Sequence, residues 1–118
     1  SVFGNDSEGD WLKAICSYAG IKLDASITNN ALTGKYTGIL NADGSLFTAL
    51  ITNAALNLIT PEHLENNSSL LLTASHILAD ANISVESVSW LSHFCHQHNI
   101  PFIIHAPHFA QGDLRLAD

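Results

Sequence analysis

The stretch from Ser75 to Pro107 constrains the fold of this chain more than any other. It opens with a short apolar run, Ile77-Leu78-Ala79, that ends in the polar residues Asp80 and Asn82. A run of helical period follows, capped by Ser84 with Glu86 in its first turn. Its inner stripe reads as Val85, Val88, Leu91 and Cys95, with Trp90 and Phe94 flanking. The helix stops near Asn99, ahead of Pro101, and a second apolar run, Phe102-Ile103-Ile104, closes in His105-Ala106-Pro107. Two apolar runs joined by a helical run predict a β-α-β unit with parallel strands, spanning about 75–107. Ligands of such units sit at the carboxyl ends of the strands. Asn82 and residues 105–108 occupy those ends here.

Length and charge narrow the rest. A chain of 118 residues makes one domain with a modest core. Only 13% of the residues are charged, against about a quarter in a typical soluble domain. Part of the surface is therefore expected to be covered by something else. A net charge of −7 with four Lys and Arg argues against nucleic acid and anionic membrane as partners. No apolar run approaches the roughly 20 residues that span a bilayer, and no signal peptide opens the chain. Cys16 and Cys95 lie far apart without metal-type spacing, so both are expected to be reduced, helix-borne and half-buried in a cytoplasmic protein. The chain has no methionine, and both ends read as cut from something longer.

Upstream, Val2 to Asp6 reads as a strand stub. Asp6, Ser7 and Asp10 supply cap chemistry for a helix to about Tyr18, with Trp11, Leu12, Ile15, Cys16 and Ala19 on its apolar face. Gly20 is its stop, and Ile21 to Asp24 is a short extended piece. Thr33 to Asn41 and Ser45 to Thr52 form a hairpin around Asp43-Gly44. Tyr36, Gly38 and Leu40 share one face, and Lys35, Thr37 and Ile39 the other. Neither face is wholly apolar, as suits a sheet covering a wet cleft. Thr60-Pro61-Glu62 starts a short helix that ends near Asn67, Leu70 to Thr73 makes another turn, and a strand runs from Ser75 to Asp80.

These residues resemble a known family. Phe3-Gly4-Asn5-Asp6-Ser7-Glu8-Gly9-Asp10-Trp11-Leu12 is similar to the Val-Gly-Asp-Asp-x-x-Gly-x-x-Leu stretch of the ribokinase-like (PfkB) carbohydrate kinases. Ala19-Gly20-Ile21 resembles the Ala-Gly-Val before their substrate-covering lid, and Thr33-Gly34 with the hairpin at 33–53 resembles the lid itself. Thr33-Gly34-Lys35-Tyr36 and Ala79-Asp80-Ala81-Asn82-Ile83-Ser84 look most like the pseudouridine kinases. The order and spacing of these motifs agree over essentially the whole chain.

The resemblance implies an α/β fold, a three-layer ribokinase-like piece with parallel strands and a projecting β-hairpin lid. It implies transfer of the ATP γ-phosphoryl group, with Mg²⁺, to the 5-hydroxyl of a ribose, with pseudouridine or a similar ribonucleoside expected. It places Tyr36 and Gly38 against the sugar and Asn82 where these kinases reach the ribose. The family's Gly-Ala-Gly-Asp segment, which supplies base and anion hole, is not found; Gly112-Asp113 follows Ala110 and Gln111 instead. No catalytic residue is therefore assigned, no cofactor is expected on this stretch by itself, and the stretch alone is expected to be inactive. Two departures bear on substrate. Thr52-Asn53 stands where the pseudouridine kinases tend to have an acidic residue, and Ile104-His105-Ala106-Pro107-His108 where they read Val-Asp-Pro-Val-Ser.

Blander readings stand beside these. Asn82 could bond its own backbone ahead of the Ser84 cap, and Tyr36 could be a cross-strand packing residue. Asp80 is read as orienting a loop rather than as catalytic, and Cys95 as core. His93, His96 and His98 near one helix end read as polar helix surface, so no metal site is assigned. The alternative to a kinase piece is a non-catalytic, kinase-derived module for binding or dimerisation. In either case a homo-oligomer through the lid or the exposed sheet is expected.

Overall fold

A computed structural model of the chain describes residues 1–105. It contains two compact units, Ser1–Leu58 and a second that begins at Ile59.

In the first unit, β1 (Val2–Gly4) pairs in parallel with β2 (Ile27–Asn29), Val2 opposite Ile27 and Gly4 opposite Asn29. The helix α1 (Ser7–Tyr18) connects them. Its cap is Asp6, whose side chain accepts from the Gly9 N–H at 2.8 Å. Gly20 at φ 78° turns the chain away, in the left-handed region that glycine adopts most cheaply. The extended piece expected at Ile21 to Asp24 is not a strand. A turn closed by Ser26 N–H and its hydroxyl onto Leu23 O comes first, and only beyond it does the chain align with β1. The expected apolar face of α1 is also largely open: Trp11 is 63% exposed and Ile15 44%.

The hairpin is β3 (Lys35–Leu40) with β4 (Leu46–Thr52), antiparallel. Pairing runs from Lys35↔Thr52 to Ile39↔Thr48, then shifts so that Leu40 faces Leu46 and Phe47 is the extra residue of a bulge. Gly44 at φ 83° and the Asp43 carboxylate, which accepts from Ser45 N–H and hydroxyl, close the turn. The strand starts at Lys35 rather than Thr33 because Thr33 bonds elsewhere, to Asp6. A 3₁₀ turn, Ala54–Leu58, packs Ala55 beside β1.

In the second unit, α2 (Pro61–Asn66) starts on Thr60, whose hydroxyl accepts from His63 N–H, and α3 (Ser68–Leu71) follows. The strands β5 (Ile77–Asp80) and β6 (Phe102–His105) are parallel, Ile77 opposite Phe102 and Asp80 opposite His105. The helix α4 (Val85–His98) crosses between them, as the sequence predicts. Ser84 caps its start and Asn99 at φ 55° ends it. The core is Ile77, Ala79, Leu91, Phe94 and Cys95, with Leu64, Leu71 and Trp90 packed against it. The Trp90 ring stacks on Phe94 at 4.9 Å between centroids.

The inner face of α4 is rotated from the expected one. Val85 is 79% exposed, whereas Ser87 is fully buried and donates to Ile59 O at 2.6 Å. Phe94 lies in the core rather than beside it, and Cys95 is fully buried rather than half-buried; only Cys16 is intermediate. Both cysteines are free. Among the described residues no helix is long and apolar enough to cross a membrane.

Candidate functional site

The carboxyl edge of β5 and β6 gathers three polar side chains. Register sets Asp80 opposite His105, and the His105 Nδ1 lies 3.1 Å from Asp80 Oδ2. The other carboxylate oxygen accepts from the Asn82 backbone N–H at 2.8 Å and from the Asn82 side-chain amide. Ala81 N–H donates to His105 O at 2.9 Å, which ties the loop to β6 as well. The Asn82 N–H, and after it the His105 ring, hold the Asp80 carboxyl below its ordinary range. Asp80 thus organises the loop after β5, and Asn82 stands exposed at its tip.

In the first unit the polar centre is Asp6. It accepts from Gly9 N–H, from Thr33 N–H at 2.8 Å and from the Thr33 hydroxyl at 2.5 Å. The Thr33 hydroxyl oxygen in turn accepts from Gly4 N–H at 3.1 Å. Chiefly the Thr33 hydroxyl, then the Thr33 and Gly9 N–H groups, hold the Asp6 carboxyl down at about 2. Thr33 is 4% exposed, so this knot fixes the base of the hairpin two residues before β3 begins. An exposed ion pair, Lys35 Nζ to Glu8 Oε1 at 2.7 Å, lies beside it.

Of the predicted site residues, Asn82 sits at the strand edge of the second unit, while Tyr36 and Gly38 share a face of the hairpin in the first. Tyr36 is 58% exposed. A Cβ added at Gly38 would meet Leu46 Cδ1 at 3.3 Å and the Tyr36 ring at 3.5 Å, so that face is shallow but open to solvent. Sequence reasoning assigned the Asp6 cap but missed its bond to Thr33, and it missed the pairing of Asp80 with His105. The second was within reach: two parallel strands of equal reach end in Asp80 and His105.

Among the described residues no three His, Cys, Asp or Glu side chains converge as a metal site would require. The His93 ring bonds Ser89 O on its own helix. His108 and Gly112-Asp113, singled out in the sequence, lie outside the described residues.

No family model matches the chain. Two curated proteins of Escherichia coli (strain K12) do: an uncharacterized sugar kinase, YeiI, and a pseudouridine kinase. Each is 29% identical over 92 residues, 77% of this chain. The chain spans 25% and 29% of their respective lengths. Among solved structures, a carbohydrate kinase from Agrobacterium tumefaciens matches with a TM-score of 0.73 at 25% identity, over 87% of this chain and 35% of that one. A ribokinase from Giardia lamblia matches with a TM-score of 0.72 at 19% identity, over 96% of this chain and 36% of that one. The chain therefore resembles, over most of its length, a part of the ribokinase-like carbohydrate kinases and shares their α/β fold.

Proposed function

We propose that this chain is the substrate-facing part of a ribokinase-like kinase that transfers the ATP γ-phosphoryl group to the 5-hydroxyl of pseudouridine or a similar ribonucleoside. The observation that carries the reading is the match to a pseudouridine kinase over 92 residues, 77% of this chain. In this reading the domain is three-layered and β3–β4 is its lid. Tyr36 and Gly38 face the sugar from the lid, and Asn82 reads a ribose diol or a base edge with an amide that both donates and accepts.

Phosphoryl transfer rests on metal, cations and backbone amides placed around the phosphate. The described residues do not fit an ATP–Mg²⁺ site. No acidic cluster converges, and Lys35, at the hairpin base, is engaged with Glu8. The stretch alone is proposed to be inactive. The cytoplasm is the compartment that agrees with two unpaired cysteines.

A second reading is a non-catalytic module that binds or dimerises through the hairpin. It draws on Ile39, Leu40, Leu46, Phe47, Leu50 and Ile51, all at least 45% exposed. Pairing of two hairpins is compatible with either reading.

The test is ATP-dependent phosphorylation of pseudouridine, uridine and ribose by a longer protein that contains this chain. Transfer to a nucleoside 5-hydroxyl that Asn82→Ala weakens supports the kinase reading. Transfer to none of the three, with a stable dimer that Leu50→Asp dissociates, replaces it with the second.

A further inference from the structure

The three polar groups at the edge of β5 and β6 are chained in one order. An ionised carboxylate only accepts hydrogen bonds, so His105 has to donate from Nδ1 across the 3.1 Å contact to Asp80 Oδ2. The neutral imidazole then has a bare Nε2, on a side chain that is 67% exposed. Asn82 donates twice to Asp80 Oδ1, from its backbone and from its side-chain amide. That spends the amide nitrogen on the carboxylate and leaves the Asn82 carbonyl Oδ1 without a partner among the described residues. An exposed asparagine amide held by nothing would turn over freely and offer either end. Here Asp80 fixes which end points out, and a bond from the neighbouring strand fixes Asp80.

We infer that His105 is a positioning residue. Through Asp80 it holds the Asn82 amide with its carbonyl outward, so that the strand edge offers two acceptors, Asn82 Oδ1 and His105 Nε2, to a neutral ligand that donates from hydroxyl groups. This rests on Asn82 being a ligand contact, as proposed above. A polyol or the sugar of a nucleoside has hydroxyl donors to give. A phosphate or carboxylate meets acceptors and the Asp80 charge, and is refused. The edge thus selects the unphosphorylated form of its ligand.

The experiment uses the full 118-residue chain, nitrogen-15 labelled, with pseudouridine and inorganic phosphate as probes. Ring-nitrogen spectra of the unmodified protein are expected to show the His105 Nδ1–H tautomer; an Nε2–H tautomer overturns the inference without any variant. In His105→Leu the Asn82 side-chain amide signals should move to the free-asparagine position, and pseudouridine affinity should fall about tenfold. His105→Asn offers an N–H donor from a similar position and should restore the Asn82 signals, but affinity only in part, because the Nε2 acceptor is still missing. Unmoved Asn82 signals in His105→Leu, or tighter binding of phosphate than of pseudouridine, overturn the inference. Signals that follow His105 while pseudouridine binds equally to the wild type and Asn82→Ala uphold the positioning role and sink the assignment of Asn82 as a ligand contact.

Discussion

Asp6 and Thr33, 27 residues apart, are joined by two hydrogen bonds into one carboxylate, and the same threonine hydroxyl receives Gly4 N–H. One buried side chain therefore links β1, the start of α1 and the base of the hairpin. Thr33→Val keeps the shape and removes the hydroxyl, which orphans the buried Gly4 N–H. Such a loss costs about 1–3 kcal/mol. Urea denaturation should show it, with Thr33→Ser close to the wild type. Equal stability of Thr33→Val and the wild type would mean that the knot contributes nothing to folding.

The same carboxylate sets an acid limit. Asp6 titrates at about 2 in the folded protein, against an ordinary 3.8. A depressed folded value contributes stability that is fully present above the ordinary value and lost as pH falls through the folded one. The first unit should therefore weaken between about pH 4 and 2, visible as lower protection of the Thr33 amide relative to its intrinsic exchange rate at each pH. Asp6→Asn should be less stable at neutral pH and lose most of that acid dependence. An unchanged acid profile in Asp6→Asn would assign the effect to other carboxylates.

How much of this was legible in the sequence depends on how local its cause is. The ends of α4 were readable because Ser84 and Asn99 act within a turn of themselves. The hairpin was readable from Asp43-Gly44. The strand β2 was not, since Ile27-Thr28-Asn29 has almost no pattern and exists by pairing with β1 across α1. Val85 and Ser87 misled for a related reason. Polarity predicts Val85 inside, but Ser87 is drawn in by a carbonyl 28 residues upstream, at Ile59. At the site, the strand-end position of Asn82 followed from the β-α-β pattern, whereas its tie to Asp80 and His105 needed the register of two strands.

Gly9 offers a case where packing should override propensity. It lies buried in the first turn of α1, where alanine is the better helix former by about 1 kcal/mol. A Cβ there would run into the Gly4 carbonyl and sit 2.9 Å from the Thr33 hydroxyl. The first of these is backbone and cannot swing aside. Overpacking of this kind costs about 1–3 kcal/mol. Gly9→Ala should therefore lower the melting temperature, and a rise would show that β1 and α1 can separate without loss.

Gly38 separates the lid reading from simple strand pairing. It opposes Ala49 and shares its face with Tyr36, whose partner is Ile51. Valine suits a strand better than glycine does. The nearest obstacle, Leu46 Cδ1 at 3.3 Å from the new Cβ, is the flexible end of an exposed side chain. Gly38→Val should accordingly leave the melting temperature unchanged or raise it slightly. If this face covers the sugar, the added methyl groups fill the space beside the Tyr36 ring, and pseudouridine affinity should fall about tenfold, the size of one well-placed contact. Thr37→Trp puts added bulk on the opposite face and should leave affinity alone. Calorimetric titration of the two variants against the wild type decides it. Equal affinities for all three would remove Tyr36 and Gly38 from the site, and a loss only in Thr37→Trp would assign the sugar to the other face of the hairpin.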